Sequence, residues 1–180
     1  MNRILFRQTV FIICSIAVIS AGELRFFSGS RGIILAADPT TTTTTSPSSS
    51  GELWVTGLNP YGQHGLGDTT DRNTFVHVSG LANVVTVAGG GDHSLAVKSD
   101  GTVWAAGDNQ YGQLGLDDTT DRNTFVPVTG LADVVAVAGG WGHSLALKSD
   151  GTVWAAGRNN YGQLGLGDNT SRNTFVQVTG

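Results

Sequence analysis

The stretch AGGGDHSLAVKSDGTVWAAGDNQYGQLGL, residues 88–116, returns fifty residues later as AGGWGHSLALKSDGTVWAAGRNNYGQLGL, residues 138–166. Aligned without gaps, residues 51–100 and 101–150 share 35 of 50 positions, and residues 101–130 and 151–180 share 24 of 30. A strict period of fifty residues is the mark of an array of one supersecondary unit, and at this length with strand-like content the unit is one four-stranded propeller blade.

The residues inside one period support strands. Ser144–Lys148 and Thr152–Ala156 flank Ser149-Asp150-Gly151, and Ser99-Asp100-Gly101 repeats the arrangement, so an Asp-Gly turn between β-formers predicts a tight hairpin in each copy. Two more β-forming runs follow, Thr124–Val128 and Val134–Ala138, set apart by Gly130 and Asp133. No segment spaces its apolar residues at a helical period, and glycines punctuate every strand. Pro127 cannot donate to a ladder and places its strand at a blade edge or at a bulge. Gly139-Gly140 implies backbones too close together for side chains, as at a propeller axis.

The run Gly-Gly-x-x-His-Ser-Leu-Ala-x-Lys-Ser-Asp-Gly-Thr-Val-Trp-Ala-Ala-Gly-x-Asn-x-Tyr-Gly-Gln-Leu-Gly-Leu resembles the repeat of the regulator of chromosome condensation (RCC1-type) family over residues 51–180. The resemblance implies a seven-bladed β-propeller. Residues 51–180 hold two full repeats, 51–100 and 101–150, and a partial one, 151–180, so the expectation is an all-β arc of antiparallel four-stranded blades forming an incomplete ring. Glu52–Gly57 reads as the second arm of a hairpin whose first arm would come from a C-terminal Ser-Leu-Ala-Leu-Lys strand in a longer chain. Open blade edges of this kind invite self-association.

Residues 1–37 open with Arg3 and Arg7 and run into an apolar segment from Val10 to Ile19, with small residues at Ser20-Ala21-Gly22 and Ala36-Ala37. This is the pattern of a helical export signal, cleaved or kept as a signal anchor, and a retained anchor is the only membrane attachment expected. Cys14 is the only cysteine, so the mature chain carries no disulfide. Residues 38–50, DPTTTTTTSPSSS, have no apolar side chain to bury and read as a disordered linker. The expected location is therefore outside the cell or on its surface, where Asn169-Thr170-Ser171 is a glycosylation sequon in a eukaryotic host.

From Gly51 onward six Lys/Arg face twelve Asp/Glu, which gives no basic stripe for a phosphate backbone, and nucleic-acid binding is not expected. His93 and His143 lie one repeat apart with no zinc-ligand spacing around them and read as buried structural imidazoles. Asp68-Thr69-Thr70-Asp71-Arg72-Asn73 and its copies offer oxygens without the order of an EF-hand and read as Asx turns. Gly162–Gly167 lacks the lysine and helix of a phosphate loop. No catalytic group, cofactor or metal site is expected, and the reading is a non-enzymatic module for a protein partner.

Trp54, Trp104 and Trp154 recur in phase and are assigned to the blade cores, with Leu145, Val153 and Leu164. Trp141 has Gly91 as its counterpart and stands in a turn that resembles the Gly-Trp-Arg-His turns of the family's plant ultraviolet-B photoreceptors, with Gly142 in place of the arginine. Positions 58/108/158 and 60/110/160 also vary, and Asp108 becomes Arg158 with no compensating change nearby. Variable side chains over a constant frame suit a recognition rim, so Asp108, Gln110, Trp141, Arg158 and Asn160 are the candidate partner-binding residues. The family resemblance admits two further activities, guanine nucleotide exchange on a small GTPase and secreted inhibition of an enzyme such as a β-lactamase.

Overall fold

The computed structural model describes residues 51–179, together with the backbone strands β1 (Ser15–Ser20) and β2 (Glu23–Ser28). These two pair antiparallel as a hairpin. The helix expected across this part of the export segment is therefore replaced by strand, in keeping with the β-branched residues Ile16, Val18 and Ile19. The linker at 38–50 lies outside the described residues.

Three antiparallel sheets follow. Strands β3 (Trp54–Gly57) and β4 (Arg72–His77) form the first, β5 (Val84–Gly89), β6 (His93–Lys98), β7 (Val103–Gly107) and β8 (Arg122–Pro127) the second, and β9 (Val134–Gly139), β10 (His143–Lys148), β11 (Val153–Gly157) and β12 (Arg172–Gln177) the third. In both four-stranded sheets the spatial order follows the chain, so each is a meander of the kind a propeller blade requires. The blade is out of phase with the sequence window, because the β10–β11 hairpin joins two successive windows across Ser149-Asp150-Gly151. Gly151 turns there at φ 85°, and Asp150 Oδ1 accepts from the Thr152 amide at 2.9 Å and hydroxyl at 2.6 Å. This is a three-residue hairpin loop that needs a glycine in the left-handed region.

Pro127 ends β8, the edge strand of its sheet, opposite Trp104. The register shift beside it also occurs at Val55/Gly57 and Ala155/Gly157, where His77 and Gln177 replace the proline, so the irregularity belongs to the glycines Gly57, Gly107 and Gly157 at φ near 106°. The innermost strands crowd as their sequence implies: a Cβ on Gly139 would stand 2.7 Å from the Gly90 amide nitrogen, and the Gly91 amide donates to Gly140 O at 3.0 Å across the blade junction.

The core is a series of layers between consecutive sheets. Leu53, just before β3, and Val55 within it pack with Val84, Val87 and Ala96 of the next sheet, and Leu95, Val97 and Val103 pack with Val134 and Ala146 of the one after. Each fully buried leucine or valine contributes about 1.5–3 kcal/mol of transfer free energy. The in-phase tryptophans stand at the margins of these layers. Trp104 and Trp154 are half-buried, and Lys98 and Lys148 each set an ammonium 5.4 Å from the adjacent ring centroid. Leu164 is fully buried, whereas Leu145 is half-buried and Val153 is 38 % exposed against 0 % for Val103, since β9–β12 lack the covering sheet that β5–β8 have among the described residues.

Candidate functional site

The rim is built by long loops after β3, β7 and β11, and each is pinned by one asparagine. Asn109 is fully buried; its Oδ1 accepts from the Leu114 amide at 2.9 Å and its Nδ2 donates to Asp118 O at 3.0 Å, while Asp121 accepts from its amide at 2.8 Å. Asn59 and Asn159 make the same bonds, with Ser171 Oγ taking the place of the second aspartate. At the far end Asp68, Asp118 and Asp168 each cap the amide two residues on, as Asx turns do, and pair with Arg72, Arg122 and Arg172. The capped amides and arginines hold these carboxyls below their usual range. Oxygens that sequence alone left open to a cation are thus accepting within their own loops.

Upon this frame the structure divides the candidate residues. Asp108 is buried and belongs to the frame: its carboxylate accepts from Gln113 Nε2 at 2.7 Å and from the Gln110 amide at 3.1 Å. The expectation that a charge reversal marks a solvent-facing position is corrected here, because the constant Gln113 supplies a buried donor that makes the aspartate structural. Gln110 and Asn160 are exposed at separate junctions.

Trp141 and Arg158 come together. Trp141 is 56 % exposed, in the turn between β9 and β10, and the Arg158 guanidinium lies 5.3 Å from its ring centroid. The same guanidinium lies 5.2 Å from the Tyr111 ring and 5.5 Å from Tyr161, and Tyr111 and Trp141 are tilted neighbours at 6.0 Å. Arg158 is fixed by its amide, which donates to Gly142 O at 2.8 Å. Trp141 is seated on the preceding blade: a Cβ on Gly91 would meet Trp141 O at 2.5 Å and the indole at 3.2 Å. One cation between three rings is a built arrangement. The two tyrosines escape a reading from repeat variation because they are constant; the signal is their place one residue beyond the variable 110 and 160 positions.

The inner strands carry the only serine–histidine pair of short distance among the described residues. His93 Nε2 lies 2.9 Å from Ser144 Oγ, and that hydroxyl donates to Gln113 O at 2.6 Å. The serine proton is committed to the carbonyl, so the imidazole is the donor and not a base toward the hydroxyl. Both groups are buried, and desolvation, aided by His143, lowers the His93 pKa to about 4. This is a structural joint between blades.

The regulator of chromosome condensation (RCC1) repeat matches residues 50–97, 100–147 and 150–179, and a second form of it matches 84–113 and 134–163. Among solved structures the chain is similar to human WBSCR16 (TM-score 0.61, 25 % identity, covering 72 % of this chain and 37 % of that one). It is also similar to yeast RCC1 (Prp20) bound to Kap60 (TM-score 0.69, 19 % identity, 89 % and 39 %). Prp20p from Saccharomyces cerevisiae, described with its binding properties to Gsp1p and histones, is another match (TM-score 0.68, 21 % identity, 89 % and 41 %). The chain thus spans about two fifths of the length of these proteins, and no curated protein matches it. With three matched repeats, two meandering blades and the inter-blade joints in place, the chain belongs to the regulator of chromosome condensation repeat family.

Proposed function

We propose that residues 51–180 are a non-enzymatic protein-binding module, exported or displayed at the cell surface by residues 1–37 and held away from its anchor or neighbour by the 38–50 linker. The observation that carries the binding reading is the half-exposed Trp141 ring stacked with Arg158 on a rim whose backbone is pinned from within. Aromatic and arginine side chains on a preorganised frame are the residues that anchor protein interfaces. Gln110 and Asn160 are exposed polar residues that precede Tyr111 and Tyr161 in the chain. The committed Ser144 hydroxyl supports the absence of nucleophilic chemistry, and the excess of twelve acidic over six basic residues supports a partner other than nucleic acid.

The test is capture of partners from the culture medium and cell surface of the producing organism by the full chain and by its Trp141→Ala and Arg158→Ala variants. Both variants lose a shared partner while the thermal midpoint stays nearly constant, since rim substitutions cost within about 0.5 kcal/mol. Equal capture by all three proteins refutes the rim assignment.

A second reading is nucleotide exchange on a small GTPase, favoured by the likeness in fold to Prp20p and read through the family. Accelerated nucleotide release from a panel of GTPases establishes it in place of the first. Secreted inhibition of an enzyme is the third, and recovery of an enzyme with lowered activity in the captured fraction distinguishes it from simple binding.

A further inference from the structure

The arginines of the described residues fall into two kinds. Arg72, Arg122 and Arg172 each lie within 2.6 Å of an aspartate oxygen, neutralised inside their own loops. Arg158 is held by the rings of Tyr111, Trp141 and Tyr161, with its Nε sealed from solvent, and among the described residues no carboxylate is ion-paired with it. Ring contacts satisfy the charge of a guanidinium without using its terminal N–H groups, the part that matches a carboxylate fork. Around it the indole of Trp141 offers apolar area without a charge, and the phenol of Tyr161 borders it in the loop after β11, on the sheet that has no covering sheet among the described residues.

We infer that this cluster is a receptor for a carboxylate side chain carried next to an aromatic or large apolar residue in a peptide segment of the partner, a conclusion that rests on the rim being the binding surface. The carboxylate takes the outer edge of Arg158 as a two-point, charge-assisted hydrogen bond, and the neighbouring apolar side chain packs on Trp141 and Tyr161. A carboxylate is favoured over a phosphate chain because the surrounding module is acidic and repels extended polyanions, whereas one carboxylate meets one unpaired guanidinium at short range. Arginine serves here where lysine would not, since an ammonium lacks the planar, weakly hydrated group that packs among rings and the paired donors for the fork.

The experiment titrates the full chain with three capped tetrapeptides, Gly-Asp-Phe-Gly, its asparagine counterpart and its phosphoserine counterpart, each to millimolar concentration. Binding is followed by the side-chain nitrogen resonance of Arg158 and by indole fluorescence, with Trp141→Phe to assign the signal. The expected result is that the aspartate peptide shifts the Arg158 resonance and binds about tenfold more tightly than the asparagine peptide, the loss of one charge-assisted contact. Arg158→Lys weakens it about tenfold as well, with the fold intact by its melting curve. Equal binding of the aspartate and asparagine peptides, no shift with any of the three, or tighter binding of the phosphoserine peptide overturns the inference. If Trp141→Ala and Arg158→Ala still abolish capture of a partner, the rim reading stands and only the carboxylate assignment falls. If neither variant changes capture, the rim reading falls first.

Discussion

His93 of one blade holds Ser144 of the next, Nε2 to Oγ at 2.9 Å, in a setting that keeps the imidazole neutral. Because burial lowers its pKa to about 4 from 6.5, the unfolded chain takes up a proton below pH 6.5 that the folded chain refuses until about pH 4. The stability from this site is complete above pH 6.5 and drains away as pH falls toward 4, by about 3 kcal/mol in all. Half-buried His143 is shifted in the same direction by desolvation and steepens the same window. Urea unfolding from pH 7 to 4 measures the slope, and His93→Gln should flatten it; an unchanged slope in that variant disproves the assignment.

Removing the hydroxyl of Ser144 unpairs two buried groups, Gln113 O and the His93 Nε2–H, whereas Ser94 Oγ serves Gln63 O alone among the described residues. Ser144→Ala should therefore cost about 2–3 kcal/mol and Ser94→Ala about 1 kcal/mol, read from denaturant midpoints at constant slope.

Val103 and Val153 occupy the same slot in successive repeats but differ in cover, 0 % against 38 % exposed. Val103→Ala should cost about 2 kcal/mol and Val153→Ala less than half of that. Equal losses in thermal unfolding would show that the face of β9–β12 is covered in solution.

Gln63 has its amide nitrogen buried with no hydrogen-bond partner among the described residues, while Gln113 donates to Asp108 from the same position. Leu58, the exposed counterpart of Asp108, is the residue that fails to provide an acceptor. Leu58→Asp should raise stability by about 1 kcal/mol by giving that amide an acceptor. A lower melting temperature for this variant would count against the pairing.

The fifty-residue period made the blades, the Asp-Gly hairpins and the edge position of Pro127 legible, because each follows from local chemistry repeated in register. Three environments depend on neighbours that a single repeat does not specify. Asp108 looked variable and so exposed, yet a constant glutamine buries it. Tyr111 and Tyr161 are constant and so give repeat variation nothing to select, yet they border the patch that Arg158 completes. Val153 matches Val103 in sequence and differs from it only in what lies alongside. Repetition reveals what a residue is attached to within its unit; its environment is fixed by the adjoining unit.

The bare backbone of Gly91 beneath Trp141 decides how often the indole can recur along the arc. A Cβ at position 91 would lie 2.5 Å from the backbone carbonyl oxygen of residue 141, so this junction demands glycine at 91 whatever side chain residue 141 carries. A periodic scaffold would ordinarily multiply a useful anchor along its length. Here the close approach of two backbones leaves Trp141 without a counterpart one repeat earlier, so the described arc carries its exposed indole once on a surface that is otherwise repeated.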